Sequence, residues 1–366
     1  GWLGEKRAPL AFTGSGFLLG TPVFFDTVFY LMIPLGKSLA MRFRKNYGLY
    51  IMTIVAGATM AHSLVPPTPG PLFVAEQLNV SLGLMIVMGL IVGSLACWVG
   101  YIYANWINSK SKWHVPLRDS PDSPLAKLEK ISYHQDKALP NFILALLPVM
   151  LPILLIGGNT ILQKVINAHP SSLANILSVV GDKNIALIIS AIVALGLLIL
   201  QKRGDKKELF DSVQSALASG GLVILITAAG ASFGSVLQQT NIADRIGSLS
   251  VEFNISGLFF LRMAFFVTAI VRTAQGSATV SMITSVGIFA SIAEGLPFHP
   301  VYLALAIGCG SKPFPWMNDS GFWVINRMSG MTIRESIRSV SILMTVMAIS
   351  GLFMTIFLAW VFPTAF

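Results

Sequence analysis

Long apolar stretches separated by short polar segments run along the whole chain. They lie near residues 10–36, 48–74, 81–105, 141–162, 184–200, 213–239, 255–288, 300–326 and 338–362. Each is long enough to cross a hydrocarbon layer as an α-helix, which takes roughly 17–25 residues. A membrane β-barrel would instead alternate apolar and polar residues, and this chain does not. The pattern predicts an all-α polytopic membrane protein.

The composition supports this fold class. Apolar residues make up 54% of the 366 positions and charged residues only 11%, whereas soluble domains carry about 25% charge. A polar exterior cannot be built from so few charges, which argues against a soluble enzyme or a nucleic-acid-binding domain despite the net charge of +9. Cys97 and Cys309 lie in apolar surroundings, so neither a disulfide framework nor a cysteine-rich metal site is expected.

The longest polar stretch, 106–140, divides the chain. We predict that it is a cytoplasmic loop between a first transmembrane half at 1–105 and a second at 141–366, because it is rich in Lys and Arg. The same rule places the predicted loops at 37–47 and 201–212 on the cytoplasmic side.

The basic residues conflict with a simple count of crossings. Segment 327–338 carries three arginines, yet three apolar stretches separate it from 201–212. Residues 1–9 and 37–47 raise the same conflict. An odd number of crossings cannot return a chain to the same face, so we predict a re-entrant hairpin or a broken segment among these stretches. The alternative is that the positive-inside rule fails at one loop.

Four stretches contain sequence that interrupts a membrane helix. The first interruption is at 20–26, and the second contains four prolines at 66–71. Proline lacks a backbone donor and stops the helix, and the freed carbonyls then need partners from protein or trapped water. The other two interruptions, at 272–279 and 312–321, are rich in hydroxyls, amides and charge. The alternative for each one alone is a kinked structural helix.

The interruptions recur in the same order in both halves. A polar break with Asp26 precedes the proline-rich break by about forty residues, and the break at 272–279 precedes that at 312–321 by a similar distance. This predicts a two-fold repeat, and paired discontinuous helices indicate the binding site of a secondary transporter. Segment 227–234 lacks a counterpart in the first half, and the chain opens at Gly1, so we expect a missing N-terminal portion.

Five charges lie at membrane depth, with His62 as a further titratable group. They are Asp26, Arg262, Arg272, Lys312 and Asp319. A charge at mid-membrane costs roughly 2.5–3.5 kcal/mol, so such residues pair or line a wet cavity. An ion pair of Asp319 with Lys312 is the structural alternative, and Arg262 is far enough from the break to reach an interface.

Arg272 is the strongest candidate for binding an anion. A guanidinium binds a carboxylate through two parallel hydrogen bonds, and the helix start after the break adds positive potential. Lys312 is a second cation. The hydroxyl and amide groups that could bind substrate hydroxyls are Thr68, Gln275, Ser277, Thr279 and Asn318. We predict a hydroxyl-rich organic anion as substrate, with Asp26, His62 or Asp319 as proton carrier; His62 could equally be a packing residue.

No Walker A, G-x-S-x-G or H-E-x-x-H motif occurs in the sequence. Neither an enzyme nor an ATP-driven pump is therefore expected, and no cofactor or metal. The coupling ion would be H⁺, with Na⁺ as the alternative.

Several motifs resemble the gluconate:proton symporter (gluconate permease) family. They are RAPLA at 7–11, PVFFD at 22–26, HSLVPPTPGP at 62–71, AQGSATV at 274–280, GCGSKP at 308–313 and WMNDSG at 316–321. The resemblance implies a proton-driven carrier for gluconate or related sugar acids, while some similar proteins carry D-serine or other small hydroxy acids. Gluconate carriers commonly have histidine where this chain has Thr68, which leaves the substrate open among these acids.

The family also resembles the ion-transporter superfamily, which implies inverted repeats, re-entrant hairpins and often a homodimer. We expect a proton-coupled symporter in the inner membrane, with the bilayer and a small organic anion as partners and no nucleic acid. Two alternatives stay open. Unwound carbonyls with Ser277 and Thr279 could hold Na⁺ in a sodium-coupled carrier, and the same basic features could serve an anion channel.

Overall fold

The computed structural model describes residues 4–21, 24–110, 115–118, 142–166, 179–202, 206–238, 257–290, 293 and 296–364. Throughout these ranges every regular element is helical, which confirms the predicted all-α class. The helices are α1 Gly4–Gly20, α2 Phe25–Phe43, α3 Tyr47–Leu64, α4 Pro69–Gln77, α5 Leu82–Ser109, α6 Phe142–Ile166, α7 Lys183–Gln201, α8 Lys206–Gln238, α9 Gly257–Gln275, α10 Ala278–Phe289, α11 Pro300–Gly310, α12 Ser320–Ser329, α13 Ile333–Ser336 and α14 Ile342–Val361, with a π-helix at Ile337–Ser341.

Among the described residues, five helical stretches are long and apolar enough to cross a membrane. They are Tyr47–Gln77, Leu82–Ser109, Asn184–Gln201, Gly257–Gln275 and Ile333–Val361. The first joins α3 and α4, and the last joins α13, the π-helix and α14. This is the pattern of a chain that crosses the bilayer several times.

All four predicted interruptions coincide with helix ends. Gaps separate α1 from α2, α3 from α4, α9 from α10 and α11 from α12. At the proline-rich break, the Thr68 hydroxyl lies within 2.8 Å of the carbonyls of both His62 and Val65, which the prolines leave without a backbone donor. At the third break, the Ser277 hydroxyl accepts a bond from the Val280 amide and caps α10. Polar side chains thus replace the backbone hydrogen bonds that the breaks remove.

The predicted loop at 37–47 is wrong for residues 37–43. Helix α2 continues to Phe43, and Lys37 is fully buried within it. The segment contains no proline or glycine after residue 36, so charge alone does not end the helix. Helix α5 likewise continues to Ser109, into the predicted loop 106–140, most of which lies outside the described residues.

Two broken helices lie at the centre of the fold. Helix α3 is buried along its whole length, and so is α11 from Val301 to Gly310. They meet where the Ser311 hydroxyl bonds to that of Ser63 (3.3 Å). In contrast, α5 exposes an apolar stripe, namely Val87, Ile91, Leu95, Trp98, Ile102 and Trp106. A helix buried on all sides is surrounded by protein, whereas a helix with one exposed apolar stripe faces lipid there.

The end of α2 and the starts of α3 and α13 lie at one end of the molecule, here called the basic end. The Tyr47 hydroxyl donates to the Ser329 carbonyl at the end of α12 (2.7 Å). Arg118, from the predicted central loop, donates to both carboxylate oxygens of Glu335 (2.6 and 2.9 Å). Segment 115–118 therefore connects the predicted loop to the second half.

The opposite end gathers the starts of α9 and α11 and the end of α14. Gly257 lies so close to Pro297 that a Cβ on the glycine would be 2.3 Å from the proline ring. The His299 amide donates to the Pro363 carbonyl (2.8 Å). The start of α9 and the segment that follows α10 therefore lie at the same end of the molecule.

Helices α1 and α3 cross in close contact through small residues. A Cβ on Gly57 would lie 2.3 Å from the Thr13 carbonyl oxygen. Only glycine allows the two backbones to approach so closely, as small residues do at membrane-helix interfaces.

We expect Gly57→Ala to lower the unfolding temperature in detergent by about 4 °C or more, because the methyl group forces α1 away from α3. Gly14→Ala, on the open side of α1 with no atom within 4 Å, is the matched control and should be neutral or stabilising. Thermal unfolding followed by fluorescence checks both variants. Equal stability of the two would contradict the close crossing.

Candidate functional site

The four helix breaks surround one cavity of about 410 Å³. This volume lies within the range of small-molecule sites, roughly 300–1,000 Å³. Its lining comes from the breaks at 24–27, 276–279 and 319–322, from Pro69 at the start of α4, and from side chains of the flanking helices.

Four helices begin at the cavity, namely α2, α4, α10 and α12. Each helix start carries a partial positive charge of roughly half a unit from its unpaired amide groups. Several such ends pointing at one space make it favourable for an anion. The breaks therefore give the cavity positive potential beyond that of its side chains.

Arg272 lies in the last turn of α9 and is buried, with 4% of its surface exposed. Its Nε donates to the Ser311 carbonyl (2.9 Å), and a terminal nitrogen forms an ion pair with Asp319. The guanidinium thus joins the break after α9 to the break after α11. It lines the cavity while part of its donor set is already used.

Asp319 bonds in two directions. One carboxylate oxygen pairs with Arg272, and the other accepts the Gly321 amide (2.7 Å) at the start of α12. The ion pair of Asp319 with Lys312 that the sequence offered as an alternative is replaced by the pair with Arg272.

Lys312 follows α11 directly and is buried, with 3% exposed. It lines the cavity close to Arg272, Asp319 and Asp26, whose charges all act on it. Within the described part of the chain no carboxylate forms an ion pair with its ammonium group. Lys312 is thus a buried basic group at the cavity, and its protonated form is available to an anion.

Two further titratable groups line the cavity. Asp26 is in the first turn of α2, and its carboxylate lies near that of Asp319. Both carboxylates approach Gly321: a Cβ on this glycine would lie 3.5 Å from an Asp26 oxygen and 3.2 Å from an Asp319 oxygen. His62 is buried in the last turn of α3 with its ring centroid 5.4 Å from that of Phe24. Its Nδ1 has no hydrogen-bond partner among the described residues.

The structure brings seven of the ten predicted site residues around the cavity. They are Asp26, His62, Arg272, Ser277, Thr279, Lys312 and Asp319. The other three, Thr68, Gln275 and Asn318, do not line it. Gln275 accepts the Ser277 amide (3.3 Å), and the Asn318 amide donates to the carbonyls of Thr273 (2.8 Å) and Ala274 (3.1 Å).

Three further hydroxyl-bearing residues line the cavity that the sequence did not identify, namely Thr27, Thr59 and Ser320. Thr59 is three positions before His62 in α3, and this spacing on a helix puts both on one face. Thr27 and Ser320 lie beside Asp26 and Asp319, which the sequence did identify. Among the described residues no group of three or more metal-ligating side chains occurs.

Gly276 allows two breaks to touch. Its φ is +90°, which L side chains rarely adopt, and a Cβ there would lie 2.2 Å from the Asn318 carbonyl oxygen. Glycine is required for both the conformation and the contact.

Comparisons with known proteins agree with the motif resemblance. A family model described as GntP family permease matches residues 1–361. The gluconate permease of Zymomonas mobilis is 28% identical over 359 residues, covering 96% of this chain and 76% of the relative. The inner membrane permease YgbN of Escherichia coli is 30% identical over 358 residues, covering 96% and 78%. The gluconate permease of Pseudomonas aeruginosa is 29% identical over 364 residues, covering 98% and 78%.

A double-mutant cycle tests the buried ion pair. Asp319→Asn keeps an oxygen that can cap α12 but leaves the Arg272 charge unpaired, so we expect a loss of about 3 kcal/mol or more in the free energy of unfolding. Adding Arg272→Gln should recover part of that loss. Denaturant unfolding of the four proteins in detergent gives the coupling energy.

The pair Arg118–Glu335 is the matched control, because its side chains are 37% and 24% exposed. The same cycle with Arg118→Gln and Glu335→Gln should give a coupling of at most about 1 kcal/mol. A coupling at Arg272–Asp319 as small as this would count against a buried pair.

Proposed function

This chain belongs to the GntP permease family, and from that premise we propose that it is a proton-coupled symporter that imports gluconate or a related small hydroxy acid anion by alternating access. The observation that carries the proposal is the cavity at the four helix breaks, where four helix starts meet Lys312, whose amino group forms no ion pair with any described residue. A permease of this family is a transporter rather than an enzyme. The names of the gluconate permeases among its relatives support the substrate class.

Lys312 is the proposed partner of the substrate carboxylate. It is buried, and no residue in the described ranges forms an ion pair with it, so a bound anion can supply the opposite charge that its buried protonated form requires. Arg272 is the second proposed partner, although its pair with Asp319 occupies one terminal nitrogen. The partial positive charges at the helix starts add to the attraction for the substrate carboxylate, and they do not depend on protonation.

Ser277 and Thr279 are the proposed partners of substrate hydroxyls. Both line the cavity at the start of α10. Ser277 Oγ accepts the Val280 amide, which leaves its own proton to donate. A polyol acid can therefore bind with its carboxylate towards Lys312 and its hydroxyls towards α10.

We also propose that α1 and α2 form a re-entrant hairpin from the basic end. Helix α1 runs in the same direction as α3, since the Thr13 hydroxyl lies 3.4 Å from the Thr53 carbonyl and Gly20 abuts Ala58. Helix α1 therefore leads from the basic end towards the cavity. Helix α2 begins at the cavity and returns to the basic end at Phe43.

The second half supports the same arrangement in the opposite orientation. Helix α9 leads from the opposite end to Arg272 at the cavity, and α10 leads from the cavity back to Pro297. The broken pairs α3–α4 and α11–α12 then enter from opposite ends. These opposite entries support our proposal that the two halves form an inverted repeat.

Two hairpins would also remove the conflict in the basic residues. Residues 1–9 and 37–47 lie on one face if α1 and α2 turn back together. With 255–288 as a hairpin, two crossings separate 201–212 from 327–338, so both face the cytoplasm. The bacterial relatives, one of them named as an inner membrane permease, support the inner membrane as location. The homodimer stays a prediction.

We expect Lys312→Gln to weaken gluconate binding at least tenfold, because the carboxylate loses a charge-assisted hydrogen bond of about 1.5–3 kcal/mol. Lys110→Gln is the control: this lysine lies over the Trp106 ring, away from the cavity. Binding of labelled gluconate to purified protein measures both. Wild-type affinity in Lys312→Gln would remove this lysine from the site.

Uptake of labelled gluconate into proteoliposomes tests the coupling. An inward proton gradient should drive accumulation, and replacing sodium with choline at constant pH should leave it unchanged. Accumulation that follows sodium instead would establish the sodium-coupled carrier. Conductance without accumulation would establish the channel. Either result overturns proton symport.

A further inference from the structure

Three groups at the cavity were predicted as proton carriers, namely Asp26, His62 and Asp319, and Asp319 is already engaged in other bonds. Its oxygens accept hydrogen bonds from Arg272 and from the amides of Gly321 and Phe322. All three partners are donors, so they bind the ionised carboxylate. A proton on Asp319 would break the pair with Arg272 and leave a buried charge without a partner.

His62 also lacks the surroundings of a proton carrier. An imidazolium donates from both ring nitrogens and needs an acceptor for each. No described residue offers one to Nδ1, which is enclosed against the protein. The neutral ring avoids this demand because its unprotonated nitrogen needs no acceptor.

Asp26 differs from both. It lines the cavity, and its carboxylate forms no hydrogen bond or ion pair with any residue that the structure describes. The charged and titratable groups around it are Asp319 on α12, Lys312 after α11, Arg272 on α9 and His62 on α3. Its protonation breaks no contact that holds the fold.

The charges around the cavity balance. Counted with both acids ionised and both basic side chains protonated, Arg272 and Lys312 offset Asp26 and Asp319, and the sum is zero. A monovalent substrate anion makes the sum negative, which is unfavourable away from water. One proton on Asp26 restores neutrality and also removes the carboxylate that competes with the substrate for Lys312.

We propose that Asp26 is the residue that takes up the coupling proton, one for each monovalent anion bound. The proton adds to the Asp26 carboxylate from the outside, and it leaves for the cytoplasm when the anion does. This inference rests on the proposed symport and adds its residue and stoichiometry. Transport is then electroneutral.

Proton uptake on binding is the direct test. Calorimetry in buffers of different ionisation enthalpy should show that wild type takes up one proton per gluconate bound, at pH values where Asp26 is ionised in the free protein. In that pH range the affinity of wild type for gluconate should fall about tenfold for each unit by which the pH rises, because binding is linked to proton uptake. Asp26→Asn should bind gluconate with an affinity independent of pH and no proton uptake. Asp182→Asn, an acid at the start of α7, should behave as wild type.

Transport separates this inference from the proposed function. Asp26→Asn should exchange labelled for unlabelled gluconate but not accumulate it under a proton gradient, and an imposed membrane potential should not drive wild-type uptake. If the proton gradient drives gluconate uptake in both wild type and Asp26→Asn, the role of Asp26 is overturned while the proposed function stands. Uptake driven by the potential overturns the one-to-one count. A wild type indifferent to the proton gradient overturns the proposed function and this inference together.

Asp26→Glu keeps the test valid if the asparagine variant does not fold. Glutamate retains a titratable carboxyl on a longer side chain, so coupling should persist while the midpoint of the pH profile moves. A profile identical to that of wild type would show that another group carries the proton.

Discussion

The ion pair between Arg272 and Asp319 connects two broken helices at the centre of the protein. Arg272 ends α9, and Asp319 precedes α12, while the Nε of Arg272 also binds the Ser311 carbonyl just after α11. The same carboxylate caps α12 through the Gly321 amide. Both charges are buried, so each needs the other to remain in place. Because this pair uses up one cation and one anion, Lys312 is left to face the cavity.

A break in a membrane helix exposes backbone groups that need hydrogen-bond partners from protein or trapped water, and several polar side chains at the breaks supply them. Thr68, Gln275 and Asn318 bind backbone groups at the breaks rather than line the cavity. They keep the interrupted segments in a fixed shape. The groups that do line the cavity, among them Ser277 and Lys312, can therefore hold positions relative to one another although they belong to separate segments.

Local chemistry made the fold class and the breaks predictable, since apolar length and proline act on their own neighbourhood. Partner choice was not predictable. Lys312 is only seven residues from Asp319 in the chain, yet Asp319 pairs with Arg272, 47 residues away. A polar residue at a break also gives no sign of whether it binds backbone or faces the cavity, as Asn318 shows. The charge of Lys37 predicts a loop at this position, whereas helix α2 continues through it and buries the side chain.

The polarity of the breaks bears on the choice of coupling ion. A sodium ion held by the unwound backbone needs several carbonyl oxygens, and three at the breaks already accept side-chain donors: the Thr273 carbonyl accepts from Asn318 and Trp316, the Ala274 carbonyl from Asn318, and the Ser311 carbonyl from Arg272. Helix starts, with their positive ends, face the cavity instead. A cation held by carbonyls would have to displace these bonds. A proton needs only one carboxylate, and Asp26, the proposed carrier, can accept it without disturbing any of them.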